Sequence, residues 1–282
     1  MNMPMASIII PVYNGANYLE QAIVSALNQT YDHKEIIVIN DGSNDGGATA
    51  RIARSFQNRI QYYEKENGGV ASALNMGIQK MHGTLFSWLS HDDLISFNRI
   101  ETDVALFQSD PCTRITFCKL EVIDENSRKI KDCPYPIQSV SNPREALLLG
   151  GVDMGTMTIH KSCFERVGGF DEKNLTTQDV IMTLSLSKYF AFVYNPHAVK
   201  YTREHSERGT NTMRSQVKKD SLFICDFLYQ KCEFEDLFPD MGNMTAAEIA
   251  SGWQWLGKIY RYFGNEAYSE ECFTKMKEYL ES

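Results

Sequence analysis

The segment that decides the fold is SIIIPVYNGANYLEQAIVSALNQTYDHKEIIVI, residues 7–39. It begins with a run rich in β-branched residues at 7–12 and ends with another at 35–39. Each run is too short for a helix and too apolar for a strand with one face in water. The two runs therefore predict buried parallel strands.

The residues between the two runs predict a helix. Asn17 can cap its start, and Glu20, three residues later, can complete a capping box. Ile23, Ala26 and Leu27 then recur on one helical face. A strand, a helix and a second parallel strand form a βαβ unit, which has a right-handed crossover.

The same alternation continues downstream. Asp45 can cap a second helix, residues 60–63 predict a third strand, residues 69–81 a third helix and residues 85–89 a fourth strand. This alternation is typical of a three-layer α/β sheet, in which ligands bind outside the carboxyl ends of the strands. Polar residues follow each predicted strand: Tyr13 and Asn14, then Asp41, Gly42 and Ser43, then Asn67, Gly68 and Gly69, then Asp92 and Asp93.

The remaining sequence is less regular up to about residue 210. Residues 115–123 and 190–193 predict strands, and residues 143–149 and 178–188 predict helices. We expect this region to complete the sheet and to form one wall of the cleft.

From residue 211 the pattern is helical. Thr245 and Glu248 predict a capping box, and Gly264 predicts a helix end. The spacing from Trp253 to Phe273 resembles a single tetratricopeptide-type hairpin. We expect this hairpin to pack on the main domain, with oligomerisation or partner binding as the open alternative.

Composition narrows the class of protein. The net charge of −8 argues against broad nucleic-acid binding, which needs a basic surface. No apolar run reaches the ~18 residues that cross a bilayer, and the first residues lack a secretory signal, so we expect a cytoplasmic protein. The seven cysteines include no CxxC pair, which favours reduced thiols over disulfides or a zinc site.

The adjacent Asp92 and Asp93 need a partner, because two nearby carboxylates raise each other's pKa. A divalent cation meets this need, and oxygen ligands with open positions favour Mg²⁺ or Mn²⁺ bridging to substrate phosphates. The alternative is that one of the pair caps a helix beginning near Leu94. The pair alone leaves both interpretations open.

Other side chains at this edge have the chemistry to bind a nucleoside. Asp41 can accept a hydrogen bond from a pyrimidine imide, and Tyr13 can lie against the base. Asp45 can reach a ribose or cap its helix, and the two roles are compatible.

Five segments resemble, in order and spacing, the motifs of glycosyltransferase family 2. They are SIIIPVYNGANYLEQAIVSALNQTY, EIIVINDGSNDGG, NGGVASALNMGI, WLSHDD and VGGFDE. The resemblance covers about residues 5–210 and implies the GT-A fold, a Rossmann-like three-layer α/β/α sandwich. It makes residues 1–100 the nucleotide-sugar-binding half, residues 101–210 the acceptor-binding half and residues 211–282 a helical C-terminal extension.

The resemblance also implies the site. Asp179 matches the position of the catalytic base, and Asp92 and Asp93 lie in the position of the motif that holds Mn²⁺ or Mg²⁺. The donor-contacting positions are Pro11, Tyr13, Asn14, Asp41, Asp45, Asn67, Asn75, Asp92 and, on a loop that closes on the diphosphate, Arg203, His205 and Arg208.

Three residues depart from the family pattern. Ser90 and Gln178 stand where relatives often have acids, and Leu74 stands where an arginine is common. Because Ser90 is not a carboxylate, Asp93 is our first choice for direct metal contact. Asp92 is then expected to reach the ribose, the sugar or a metal-bound water.

The expected function is inverting transfer of a sugar from a nucleoside diphosphate, in most such relatives UDP, to a hydroxyl of a glycan or lipid-linked saccharide in surface-polysaccharide assembly. A peripheral contact with the inner membrane face and a homodimer stay open. The alternatives are a catalytically inactive sugar-nucleotide-binding relative and an assembly component acting through its helical tail. A nucleotidyltransferase is disfavoured because residues 11–18, PVYNGANY, contain one glycine and no lysine or arginine.

Overall fold

The computed structural model describes residues 3–132, 153–238 and 241–281. The chain divides into two compact units, Met1–Arg208 and Gly209–Ser282, so the division lies close to the predicted boundary at residue 211. The helix predicted at residues 143–149 lies outside the described residues.

The described part of the first unit contains a nine-stranded sheet. Its first half is the predicted one, four neighbouring parallel strands in the order β3-β2-β1-β4. Their bounds are Ala6–Val12 for β1, Lys34–Asp41 for β2, Gln61–Lys65 for β3 and Leu85–Trp88 for β4.

Side-chain alternation along the buried strands explains the three layers. In β1, Ile8 and Ile10 lie in the core under helices α1 (Leu19–Leu27) and α2 (Ala48–Ser55). Ile9 lies in the opposite core, under α3 (Gly69–Lys80). Because both faces are covered, β1 is buried along its whole length, as its continuous apolar sequence predicts.

The second half of the sheet is mixed. After β4 the order is β8-β6-β9-β5, and β7 pairs with β6. The pairs β4–β8 and β6–β8 are antiparallel, whereas β6 and β9 are parallel. These strands are β5 (Leu94–Ile95), β6 (Ile115–Ile123), β7 (Lys129–Asp132), β8 (Met157–His160) and β9 (Phe192–Arg203). The helices here are α4 (Arg99–Ser109), α5 (Ser162–Val167) and α6 (Gln178–Ser187).

Two local predictions in the first unit are wrong. Asn17 does not cap α1, whose N-cap residue is Tyr18, and its amide instead donates to Glu207 Oε2 at 2.9 Å. The segment at Leu94 begins the short strand β5 rather than a helix, because it pairs with β9. Helix capping is therefore not the reason for the adjacent carboxylates.

The second unit is helical within its described residues. Its helices are α7 (Gly209–Thr212), α8 (Arg214–Lys231), α9 (Phe234–Leu237), α10 (Ala246–Tyr262) and α11 (Glu266–Glu281). The predicted capping box of α10 is confirmed, since Thr245 N donates to Glu248 Oε2 at 2.7 Å and Glu248 N donates to Thr245 Oγ1 at 3.3 Å. Gly264 has a φ of +88°, as a helix-ending glycine should. None of the described helices is long and apolar enough to cross a membrane.

Candidate active site

The loops after β1, β2 and β3, residues 13–17, 42–47 and 66–68, are joined by hydrogen bonds and are called the braced loops below. Asn14 has a φ of +50°, and its backbone N–H donates to Ser43 Oγ at 2.9 Å. Its side chain exchanges two bonds with Asn44, at 2.7 and 2.8 Å. Asn14 therefore orders these loops and leaves Tyr13, which is 43% exposed, beside them.

Asp41, at the end of β2, joins the second and third loops. Oδ1 accepts hydrogen bonds from Lys65 Nζ at 2.8 Å and from Gly68 N at 3.0 Å, and Oδ2 accepts one from Gly69 N at 2.7 Å. The carboxylate is buried, and among the residues that the structure describes its Oδ2 atom accepts one hydrogen bond, from Gly69 N. Its contact with a pyrimidine stays a prediction that this free acceptor capacity allows.

Asp45 accepts hydrogen bonds from the first turn of α2. Its Oδ2 accepts hydrogen bonds from Thr49 Oγ1 at 2.6 Å and Thr49 N at 2.9 Å, and the Thr49 hydroxyl lowers the pKa of Asp45. The predicted capping role is thus confirmed, although the formal N-cap residue is Gly47. Within the described ranges, no well-formed hydrogen bond reaches the buried Oδ1 of Asp45. The nearby Ala48 N–H also lowers the pKa of Asp45, so the carboxylate is in contact with this donor but keeps acceptor capacity that suits a ribose hydroxyl.

The structure does not support direct donor contacts by Pro11 and Asn75. Pro11 is buried in β1, opposite Ile39 of β2. Asn75 Nδ2 donates to Phe170 O at 2.9 Å and to Glu172 Oε1 at 2.8 Å, while Asn75 Oδ1 accepts from Phe170 N at 2.8 Å. Because both amide hydrogens are used, Asn75 fixes the turn that leads to α6. Asn67 is exposed at the tip of its loop, so its donor contact stays a prediction.

A second group of side chains lies where β4 and β9 end and where α6 begins. We call it the charged cluster: Asp92, Asp93, Asp153, Asp179, Lys200 and His205.

Asp93 is held by β9. Its Oδ1 accepts from Arg203 N at 2.9 Å, and its Oδ2 lies 2.9 Å from Lys200 Nζ. Burial raises the pKa of Asp93 against the attraction of Lys200. The sequence-based preference for Asp93 as the metal ligand is therefore not supported, because both of its oxygens face partners within the protein.

Asp92 has the more open position. Its side chain is 12% exposed, and its Oδ2 lies 3.0 Å from His205 Nε2. Burial alone would raise the pKa of Asp92, yet the charge of His91 and the hydrogen bond from His205 hold it below its ordinary value. The His205 ring also packs against Tyr18, with 4.9 Å between ring centroids. The sequence placed Asp92 and His205 in one site, and the structure brings them into contact.

Arg203 was predicted to contact the diphosphate, and the structure does not support that role. It is fully buried, and its Nε donates to Asp92 O at 2.9 Å. Nη1 donates to the carbonyls of Asp124 and Glu125, and Nη2 donates to Gln21 Oε1 at 2.9 Å. The guanidinium therefore fixes the Asp92 loop. Arg208 is half-buried in the same segment, and its contact with the diphosphate stays a prediction.

Asp179 lies in the first turn of α6, the helix predicted at residues 178–188. It is partly buried, and its Oδ1 accepts a hydrogen bond from Val180 N at 2.9 Å. Burial, followed by the negative charge of Asp153, raises the pKa of Asp179 to about 6. A carboxylate with this pKa is suited to accept a proton near neutral pH.

Sequence reasoning missed Asp153 and Lys200. Lys200 is almost fully buried, and its Nζ lies 2.7 Å from Asp153 Oδ2. The sequence pattern points the other way, because the apolar Val199 and Tyr201 flank Lys200, whereas the buried side chains of β9 in the structure are Ala198, Lys200 and Thr202. A lysine in such a row needs a carboxylate partner.

The donor set fits a divalent cation only in part. No group of three or more His, Cys, Asp or Glu side chains in the described ranges is arranged to hold a metal ion. Asp92 and His205 nevertheless supply one carboxylate oxygen and one imidazole nitrogen in contact. Mg²⁺ and Mn²⁺ commonly take few protein ligands and complete their coordination with water and substrate phosphates. The pair therefore fits an ion that binds together with a diphosphate.

Comparison with known proteins identifies the family. The model of glycosyl transferase family 2 matches residues 7–167, so the chain belongs to that family. An uncharacterized glycosyltransferase of Rickettsia felis is 38% identical over 82% of this chain and 39% of its own length. One of Rickettsia typhi is 39% identical over 80% of this chain and 72% of its own length. The chain thus spans about two fifths of the first of these relatives.

A solved structure supports the fold. The S. aureus TarS 1–349 structure in complex with UDP-GlcNAc has a TM-score of 0.64 and 13% identity. The match covers 98% of this chain and 81% of that one. The predicted GT-A fold with a helical C-terminal region is confirmed.

Proposed function

We propose that this chain is an inverting glycosyltransferase. It moves a sugar from a nucleoside diphosphate, UDP in particular, to a hydroxyl of a glycan or lipid-linked saccharide. The reaction belongs to surface-polysaccharide assembly. The observation that carries the proposal is Asp179, a partly buried carboxylate with a raised pKa in the same cluster as Asp92. The UDP-GlcNAc bound to the TarS structure supports this donor class.

In this proposal Asp179 accepts the proton of the acceptor hydroxyl. The acceptor oxygen forms a bond to the anomeric carbon on the side opposite the leaving group. The bond from that carbon to the diphosphate breaks, and its electron pair leaves with the diphosphate. The raised pKa lets Asp179 take this proton near neutral pH while staying largely ionised beforehand.

Asp92 and His205 would hold Mg²⁺ or Mn²⁺, rather than Asp93, which the sequence favours. Such an ion, when bound, neutralises charge that develops on the departing diphosphate. Arg203 keeps the Asp92 backbone in place, and Tyr18 packs on the His205 ring. These contacts hold the side chains of Asp92 and His205 in place next to each other.

On the nucleoside side, Tyr13 would lie against the base, and Oδ1 of Asp45, which accepts no well-formed hydrogen bond from the described residues, would accept one from a ribose hydroxyl. Asp41 would accept the base imide N–H through Oδ2. We also propose a cytoplasmic location.

Donor binding tests the proposal. Thermal unfolding of the full chain is followed with a panel of nucleoside diphosphates and nucleotide sugars, with and without Mn²⁺ or Mg²⁺. We expect UDP and UDP-sugars to raise the Tm, because they bind the folded state, and the cation to enlarge the shift. Asp92→Asn should remove the cation's contribution. If no nucleotide raises the Tm in the presence of the cation, the proposal is overturned.

A further inference from the structure

A buried lysine joins two carboxylates next to Asp179. Lys200 Nζ lies 2.7 Å from Asp153 Oδ2 and 2.9 Å from Asp93 Oδ2. Burial would lower the pKa of Lys200, but the two carboxylates raise it, so this lysine is a fixed cation. The side chain of Asp153 is 28% exposed, so it is paired with Lys200 without being closed off from the rest of the charged cluster.

Asp153 is fixed from its other side by the short turn that follows it. Its Oδ1 accepts a hydrogen bond from Thr156 N at 3.1 Å. Arg99 holds this turn in place by donating hydrogen bonds to Gly155 O and to Met157 O, each at 2.7 Å. Arg99 is fully buried, so the position of Asp153 is set by the protein core.

The core around Arg99 is linked by an ion pair and by hydrogen bonds to its partner Asp103. Asp103, one helical turn along α4, lies 3.5 Å from Arg99 Nε. Its two oxygens accept from Thr158 Oγ1 at 2.7 Å and from Asn195 Nδ2 at 2.8 Å. This network joins α4, β8 and β9 and makes the 153–157 segment a rigid support.

This segment packs against α6, the helix whose first turn carries Asp179. Burial is the largest cause of the raised pKa of Asp179. Among the charged groups that act on it, Asp153 raises this pKa and Lys200 lowers it. Asp153 is thus a second carboxylate beside the base, and Lys200 limits its effect.

We propose that Asp153 is a positioning residue of the transfer reaction, whose negative charge, held in place by Lys200 and the Thr156 N–H, strengthens Asp179 as the base. The inference rests on the proposed function of Asp179. In the transfer step the acceptor proton passes to Asp179, while Asp153 stays ionised and gives up and receives no proton.

The test is the pH dependence of kcat/KM for diphosphate release by the full chain. Asp153→Asn removes a negative charge near Asp179, so the acid limb should move to lower pH by roughly one unit. The maximal rate should fall as well, because a weaker base is left. Asp153→Glu, which keeps the charge, should return the acid limb toward its wild-type position.

The matched control is Asp132→Asn. Asp132 is also paired with two lysines, Lys119 and Lys129, but on the exposed β7 hairpin. Its removal should leave the profile unchanged. An acid limb that stays in place in Asp153→Asn, or that moves equally in Asp132→Asn, would overturn the inference.

A second measurement separates this inference from the proposed function. The Asp179 carboxyl is titrated by ¹³C NMR in chain labelled at aspartate, with Asp179→Asn used to assign its signal. The midpoint should be lower in Asp153→Asn than in wild type even if no donor is turned over. An unchanged midpoint contradicts the inference, whereas absent turnover with a moved midpoint contradicts only the proposed function.

Discussion

The braced loops and the charged cluster lie at the same edge of the sheet but are held in different ways. In the braced loops, short polar side chains bond to backbone groups, as Asp41 does to Gly68 and Gly69. In the charged cluster, ionisable side chains bond to one another, as Lys200 does to Asp93 and Asp153. The first region is preorganised by backbone geometry and the second by charge. Substitutions in the loops should therefore act mainly on shape, and those in the cluster on ionisation.

The largest effect is expected from Lys200→Met. It leaves Asp93 buried without its cation, and breaking a buried ion pair by removing one partner costs about 3–5 kcal/mol. The free energy of unfolding, measured by urea denaturation, should fall by that amount. Lys119→Met, which removes a surface lysine that also contacts two carboxylates, should change it little. Equal losses in the two variants would show that burial does not distinguish these pairs.

A smaller loss is expected from Asp41→Ala. It leaves Lys65 and the N–H groups of Gly68 and Gly69 without their acceptor, which should cost about 2–3 kcal/mol. Donor affinity should fall with it, because the loops lose their shared anchor. Urea denaturation and nucleotide titration measure the two effects. A stable variant with unchanged affinity would show that Asp41 does not hold these loops.

The shape of the braced loops can be probed with two glycines. Gly42 and Gly46 both have positive φ, +72° and +65°, so alanine strains the backbone at either position. A Cβ atom at Gly42 would lie 2.6 Å from Asn67 N, whereas one at Gly46 would have no neighbour within 4 Å. Gly42→Ala should therefore cost about 1–2 kcal/mol more than Gly46→Ala in urea denaturation. Equal costs would mean that the close approach of these two loops does not matter.

The smallest effect has the opposite sign. The folded-state pKa of Asp179 is raised from 3.8 to about 6, so the folded protein binds this proton more tightly than the unfolded chain does. Protonation of Asp179 therefore stabilises the fold at low pH, and this stability is lost as the pH rises from about 4 to about 6. Asp179→Asn should raise the free energy of unfolding by about 1 kcal/mol at pH 7.5 and change it little at pH 4. This gain is smaller than the ~3 kcal/mol that the shift alone corresponds to, because solvent screens the partly exposed carboxylate. A lower stability at pH 7.5 would contradict the raised pKa.

The two regions also differ in how far sequence predicted them. The braced loops follow strands whose apolar runs identify them, and β1 was predicted to within one residue at its start. The charged cluster depends on pairing between distant segments. The short strands β5 and β8 carry too few residues for a pattern, and the prediction for β9 ended before Lys200, so the partner of Asp93 was missed.

Pairing with distant segments also explains why the structure does not support the predicted donor contacts of Arg203 and Asn75. Arg203 and Asn75 have side chains that suit a diphosphate, and sequence shows only that chemistry. Their acceptors belong to other loops: Asp124, Glu125 and Gln21 for Arg203, and Phe170 and Glu172 for Asn75. Asp179 could be singled out from the sequence because its motif is local, whereas its raised pKa depends on burial and then on the charge of Asp153.

The most direct test of the account compares wild type and Asp179→Asn in diphosphate release from a panel of UDP-sugars with Mn²⁺ or Mg²⁺ and a glycan acceptor. Binding of each donor is measured by titration calorimetry on the same samples. We expect wild type to release diphosphate, and Asp179→Asn to lose release by at least about 100-fold while its donor affinity is retained, as removal of a general base predicts. Release that persists in Asp179→Asn, or donor binding without any release by wild type, would contradict the assignment of Asp179 as the base of a sugar transfer.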